Sequence, residues 1–310
     1  MKDFLHKYNF KNVFSYFPIV LFSVFIVFFL LTYALSFYLV KNQILKPPVT
    51  SSSDFNYPII KTEFVPQISA KGAIIMDADS KIVLYSKNPD TRFSTASTTK
   101  IMTAIVGLEH FKEDDILTVK NATSEGVVLG LFEGQNFTFK NLLYAMLLPS
   151  ANDAALTIAE NYPGGENAFV SKMNKKAEDF NLSNTHYGDA SGLFDQQNYT
   201  TPFDLARLAA FSVQNENLRK VVSTKQEVIT DITGTNVYYL NNLNKLLGID
   251  GVNGIKTGYT EEAGQVLVTS KVEKGKTIII VVMGSEDRFS DTQKLLNLVN
   301  NNITYLSIHP

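Results

Sequence analysis

An α+β domain preceded by one membrane-length helix is the architecture this sequence predicts. Three observations lead there. An uncharged apolar stretch occupies residues 12–40, β-rich apolar runs lie towards both ends of the remaining chain, and helical spacing fills the region between them. Strands at both ends with helices between imply an antiparallel sheet that joins N- and C-terminal segments, flanked by helices with a helical subregion.

The apolar stretch comes first. Nine of the 22 phenylalanines fall in the first 40 residues, and no charge lies between Lys11 and Lys41. At about 1.5 Å rise per residue, roughly 20 residues cross a bilayer core, so residues 12–40 are long enough. A core helix of this length without charge is rare in soluble domains. A cleaved signal peptide would carry an apolar region of about 7–15 residues and then a small-x-small site. Here the run is longer, and the one weak candidate, Ala34-Leu35-Ser36, sits deep inside it. The expectation is therefore an uncleaved signal-anchor in the lipid bilayer. Lys2, Lys7 and Lys11, opposed only by Asp3, place residues 1–11 in the cytoplasm and the rest of the chain outside. Lys41 and Lys46 weaken that asymmetry without reversing it.

Residues 41–66 contain Pro47, Pro48, Ser51, Ser52, Ser53, Pro58 and Pro66, a composition that favours extended chain and reads as a linker. Tyr57-Pro58-Ile59-Ile60 could instead pack on the domain as an ordered arm. Residues 67–310 are globular in pattern. Ala73–Asp77 and Ile82–Tyr85 read as a hairpin, and Ser97–Phe111 has helical spacing. Asn141–Leu148 and Ala151–Glu160 read as helices broken at Pro149-Ser150, followed by helices over Phe169–Phe180 and Pro202–Phe211. A second hairpin spans Gln265–Lys271 and Lys276–Met283, and a last helix runs over Asp291–Asn302 with Ser290 or Asp291 as its cap.

Composition excludes several chemistries. With no cysteine there is no disulfide framework, thiolate metal site or cysteine nucleophile. A net charge of −2 gives no electrostatic footprint for nucleic acid. The four histidines, His6, His110, His186 and His309, do not imply a triad, because no Gly-x-Ser-x-Gly occurs and two of them lie near the termini.

Three short strings carry the chemistry. Ser97-Thr98-Thr99-Lys100 opens a helix, and residues three apart share a helix face, so the Lys100 amine can reach the Ser97 hydroxyl. A neutral lysine can activate a serine nucleophile. Its ordinary pKa is about 10.4, so burial or a neighbouring cation must lower it. Ser150-Ala151-Asn152 sits at a helix junction, where a plain capping role is the alternative. Lys256-Thr257-Gly258 precedes the second hairpin; it can bind an anionic group or be an ordinary surface turn. Each string is weak alone. Their order, with 53 and then 106 residues between them, is the arrangement of the penicillin-recognising serine enzymes.

The flanking sequence resembles the low-molecular-mass D-alanyl-D-alanine carboxypeptidases, of the β-lactamase/transpeptidase-like superfamily. The resemblance lies in Arg92–Ser97, Ser150–Ala155, Val252–Thr260, Ser191-Gly192-Leu193, Asp204-Leu205-Ala206 and Arg288 ahead of Lys294-Leu295-Leu296. It covers about residues 67–305. It implies removal of the terminal D-Ala from peptidoglycan stem peptides through an acyl-enzyme on Ser97, with Lys100 as base and Ser150 relaying a proton to the leaving amine. Asn152 would hold the substrate amide, Lys256 would aid Ser150 in the proton relay, and Thr257 and Arg288 would bind the terminal carboxylate. Gly258 lets substrate approach, and the backbone N–H groups of Ser97 and Tyr259 would form the oxyanion hole. No metal or organic cofactor is implied. No Glu-x-x-Leu-Asn string follows Ser150, so penicillin is expected to acylate Ser97 and stay. The family's frequent C-terminal β-rich domain and membrane tail are not expected, and the N-terminal helix would supply the anchor instead. Endopeptidase or transpeptidase action on cross-links, and a non-catalytic wall-binding or β-lactam-sensing role, remain as alternatives.

Overall fold

The computed structural model describes residues 10–44, 55–61, 65–193 and 196–308. Most of the expected cytoplasmic tail, and residues 45–54 and 62–64 of the expected linker, lie outside the described residues. The chain forms two units, a helix and a larger body that spans Phe55–Ile308. The first unit holds α1 (Phe10–Ile44), whose segment Leu21–Tyr38 has a mean hydropathy of 2.2 and is unburied, making it long and apolar enough to cross a membrane.

The larger body begins with β1 (Phe55–Ile60), β2 (Gly72–Asp77), β3 (Val83–Lys87) and the short β4 (Phe93–Ser94). A 3₁₀ turn, Ala96–Thr99, runs directly into α2 (Lys100–His110). The small hairpin β5 (Ile116–Thr118) and β6 (Asn136–Thr138) precedes α3 (Phe139–Leu147), α4 (Asn152–Asn161) and α5 (Gly165–Asp179). Next come β7 (Tyr199–Thr200), α6 (Pro202–Ser212), α7 (Glu216–Val222) and the hairpin β8 (Gln226–Thr230) with β9 (Val237–Asn241). The chain closes with β10 (Val252–Thr260), β11 (Gly264–Glu273), β12 (Lys276–Ser285), α8 (Arg288–Val299) and β13 (Ile303–Ile308).

The central sheet is antiparallel, in the order β10-β11-β12-β2-β3, so β12 against β2 is where the two ends of the chain meet. The continuous apolar runs of these strands follow from cover on both faces. Ile279, Val281 and Met283 of β12 join Ile74 and Met76 in the core shared with α2, α3, α4 and α6. The alternate residues Ile278, Ile280 and Val282 join Ile75 in a second core with Leu295, Leu296 and Val299 of α8. A strand with period-two side chains must be apolar on both faces when both are covered.

Several expectations shift. Of the two readings of residues 41–66, the ordered arm holds for Tyr57–Ile60, which lies in β1 and pairs antiparallel with β13 in register Tyr57↔Leu306. The last helix starts three residues early at Arg288, because Asp287 caps it by accepting from the Phe289 and Ser290 amides. Asp291 is occupied elsewhere: its carboxylate accepts from the Ser69 and Ala70 amides and from the Ser69 and Ser285 hydroxyls. This ties the approach to β2, the end of β12 and α8 into one buried knot. Lys256-Thr257-Gly258 is not a turn; it lies within β10, at the edge of the central sheet.

Candidate active site

The site forms where the helical region meets edge strand β10. Ser97 lies in the 3₁₀ turn, between a backbone bend at Ala96 with φ of 44° and the first turn of α2. The Thr95 and Thr99 hydroxyls bond at 2.7 Å, and the Thr98 hydroxyl donates to the Thr95 carbonyl at 2.6 Å. With its neighbours Ala96, Thr98 and Thr99 buried, Ser97 is the residue of the turn that reaches the surface.

Lys100 is completely buried, and its Nζ donates to Ser97 Oγ at 3.1 Å, to Asn152 Oδ1 at 2.7 Å and to the Ser191 carbonyl at 2.7 Å. Burial is the first cause that lowers its pKa to about 7, against the pull of Asp189 and Asp153 that raises it. Desolvation therefore does what a neighbouring cation was also expected to do.

Ser150 links α3 to α4 in the left-handed region, φ 73°, a conformation uncommon for a residue with a side chain. Its buried hydroxyl has no hydrogen-bond partner among the described residues. Asn152, at the start of α4, is held from both ends of its amide. Its Oδ1 faces Lys100, and its Nδ2 donates to the Glu125 carbonyl at 2.9 Å. Its backbone N–H donates to the Val127 carbonyl at 2.7 Å.

The opposite wall is β10. Gly258 passes so close to the nucleophile that a Cβ there would lie 3.3 Å from the Ser97 backbone nitrogen. Lys256 is buried and donates to the Thr257 carbonyl at 3.0 Å. Burial first, then Lys100 and Arg288, hold its pKa well below the ordinary lysine range. Arg288, at the start of α8, donates from Nη1 to the Gly258 carbonyl at 2.8 Å, while its buried Nε has no hydrogen-bond partner among the described residues. Thr257 is buried in the strand, whereas Tyr259 at its outer end is 61% exposed. The expected residues Ser97, Lys100, Asn152, Lys256, Thr257, Gly258 and Arg288 thus come from five separate elements, the 3₁₀ turn, α2, α4, β10 and α8, with Ser150 and Tyr259 beside them.

Two acidic residues at the site were absent from the sequence expectations. Asp153 is buried and accepts from the Leu129, Gly130 and Leu131 amides with one oxygen, fixing the loop that lies over the start of α4. Asp189 orders the segment that presents the Ser191 carbonyl. The only sequence signal for them was adjacency, Asp153 beside Ser150-Ala151-Asn152 and Asp189 beside Ser191-Gly192-Leu193. A cavity of about 150 Å³ opens here, lined in part by Asn152, Ser191, Glu125 and Glu166. Among the described residues no group of three or more His, Cys, Asp or Glu is arranged to hold a metal ion.

A family model described as D-alanyl-D-alanine carboxypeptidase matches residues 59–287. The chain is 37% identical over 254 residues to a D-alanyl-D-alanine carboxypeptidase of Streptomyces sp. (strain K15), covering 75% of this chain and 87% of that protein. It is 34% identical to the D-alanyl-D-alanine carboxypeptidase DacF of Bacillus subtilis, covering 74% of this chain and 61% of DacF. It is also 33% identical to a D-alanyl-D-alanine endopeptidase of Pseudomonas aeruginosa, over 74% of this chain and 76% of that one. The crystal structure of the Streptomyces K15 DD-transpeptidase matches with a TM-score of 0.72 at 35% identity, covering 76% of this chain and 98% of that chain.

Proposed function

Since the chain belongs to the D-alanyl-D-alanine carboxypeptidase family and is a serine-type D-Ala-D-Ala peptidase acting on peptidoglycan, we propose that its particular reaction is hydrolytic removal of the terminal D-alanine. The observation that carries acylation of Ser97 is the buried Lys100 amine, 3.1 Å from Ser97 Oγ and with a pKa near neutrality, and the carboxypeptidase names of the matched family and relatives favour the hydrolytic outcome.

Ser97 Oγ attacks the carbonyl between the two D-alanines while neutral Lys100 takes its proton. The backbone N–H groups of Ser97 and Tyr259 receive the developing oxyanion. The Ser150 hydroxyl passes a proton to the departing D-alanine amine, and water then hydrolyses the Ser97 ester. Asn152 holds the amide of the donor peptide, whose preceding residues have room in the adjoining cavity. Lys256, Thr257 and Arg288 receive the free carboxylate. Burial lowers the Lys256 pKa and an anion beside it acts in the opposite direction, so the substrate carboxylate favours the charged form of Lys256. That charge in turn keeps Lys100 neutral, which makes a carboxylate-bearing substrate part of its own activation. β-Lactams present the same carboxylate and acylate the same serine as covalent inhibitors.

The apolar α1 anchors the enzyme in the membrane, with residues 1–11 in the cytoplasm and the catalytic unit outside. Its 18-residue uncharged segment and the preceding lysines support this topology.

The deciding experiment is product analysis on purified uncross-linked and cross-linked muropeptides. Release of free D-alanine from pentapeptide, with cross-links left intact, is the expected result. Cleavage or formation of cross-links as the main product would favour the endopeptidase or transpeptidase reaction instead.

A further inference from the structure

The segment Asp189–Leu193 belongs to no helix or strand, yet it touches the reaction centre at three points. The Ser191 carbonyl accepts from Lys100 Nζ at 2.7 Å. The Ala190 carbonyl accepts from the Thr103 hydroxyl, one turn further along α2, at 2.6 Å. Gly192, with φ of 87°, is pressed against the nucleophile-bearing turn, since a Cβ there would lie 2.0 Å from the Ala96 carbonyl oxygen.

A loop without a ladder needs another source of order. It comes from the carboxylate of Asp189, which is only 3% exposed. Its Oδ1 accepts from the Ser191 amide at 2.6 Å, the Ser191 hydroxyl at 2.7 Å and the Gly192 amide at 2.7 Å, with the Leu193 amide further off at 3.4 Å. Its Oδ2 accepts from Asn198 Nδ2 at 2.5 Å. Charge-assisted bonds of this kind are roughly twice as strong as neutral ones and offset the cost of burying a carboxylate.

We propose that Asp189 is a positioning residue for Lys100: its carboxylate fixes the loop that presents the Ser191 carbonyl to the lysine, and its charge acts on that lysine from the same side. This rests on the reading of Lys100 as the base that activates Ser97. Among the described residues, Asp189 from the loop and Asp153 from α4 are the carboxylates acting on Lys100, and Lys256 of β10 is coupled to it; Ser97 and Asn152 meet it as neutral partners. Glu166 of α5 acts on Asp189 and belongs to the cavity beside it. Asp189 is the larger of the two carboxylate influences that favour protonated Lys100. Its charge therefore delays the loss of the lysine proton, while its geometry keeps the amine aimed.

The two roles separate in a pH profile of acylation. The full chain in detergent micelles is labelled with a fluorescent penicillin between about pH 5 and 9, and the acid limb and plateau of the rate are read for each variant. For Asp189→Asn the limb moves acidward by about half a unit or more, because an opposing charge is lost, and the plateau falls about tenfold as the amine loses its alignment. For Asp189→Glu, which keeps the charge but displaces it, the limb stays and the plateau falls. A limb that does not move in folded Asp189→Asn, or an intact plateau in Asp189→Glu, overturns the proposal. Should Asp189→Asn not fold, Asp189→Glu alone still decides whether the carboxylate positions the lysine. Wild-type protein that takes no label fails the functional reading and this proposal with it, whereas normal wild-type labelling with unaltered variants fails the proposal alone.

Discussion

The Lys100 amine has lost the solvent that would keep it charged, and this fixes what the serine beside it can do. A base works in its neutral form, so acylation of Ser97 is expected to rise as pH increases through about 7, where Lys100 gives up its proton. A penicillin-labelling profile with no rise across that range would remove Lys100 from the role. Ser97→Ala is expected to abolish the covalent adduct, read by intact mass; an adduct on that variant would place the nucleophile elsewhere. Lys256→Ala is expected to cost acylation about a hundredfold or more with the fold intact, since it removes a positioned charge from a buried anion site. Unchanged labelling rates would end its proposed part. The identities of these residues were readable in the sequence. Their protonation was not, because burial is a property of everything packed around a side chain and is written nowhere in a four-residue string.

The elements explain how distant residues share one site. Edge strand β10 and the 3₁₀ turn before α2 approach so closely that Gly258 and Gly192 sit against the same turn from different directions. Gly192 is the stricter of the two, combining a left-handed backbone with a 2.0 Å overlap against a carbonyl that cannot swing aside. Gly192→Ala is expected to destabilise the protein by about 1–3 kcal/mol, from backbone strain and overpacking together. Thermal unfolding and penicillin labelling check this, and a wild-type melting temperature would show the loop to be slack. Helix spacing revealed most of α2, α3, α4 and α6 because each keeps an apolar stripe on the core. The start of α8 escaped because Asp287 and Asp291 are equally good caps by composition, and only the claim of Ser69, Ala70 and Ser285 on Asp291 leaves the capping to Asp287.

At the scale of the whole molecule, the chain divides into an apolar helix and a body whose sheet is closed by its two ends. Pairing of β1 with β13 draws Tyr57–Ile60, within the Pro- and Ser-rich residues 41–66, into the folded body, the ordered arm that its apolar side chains allowed. A topology reporter fused after residue 310 is expected to read extracytoplasmic, because cationic residues precede the apolar helix. A cytoplasmic reading would overturn the anchor orientation.

The sequence by itself determined the class of chemistry. Serine, lysine and a Lys-Thr-Gly string in fixed order and spacing are covalent facts, and the alternation of apolar residues dictates strands and helices before any contact forms. Only the tertiary structure decided that Lys100 is dry, that Lys256 shares its burial, and that Asp189 holds the loop against them. Those are consequences of segments nearly a hundred residues apart or more being packed together, where water is excluded and a charge costs far more than it does in an exposed chain.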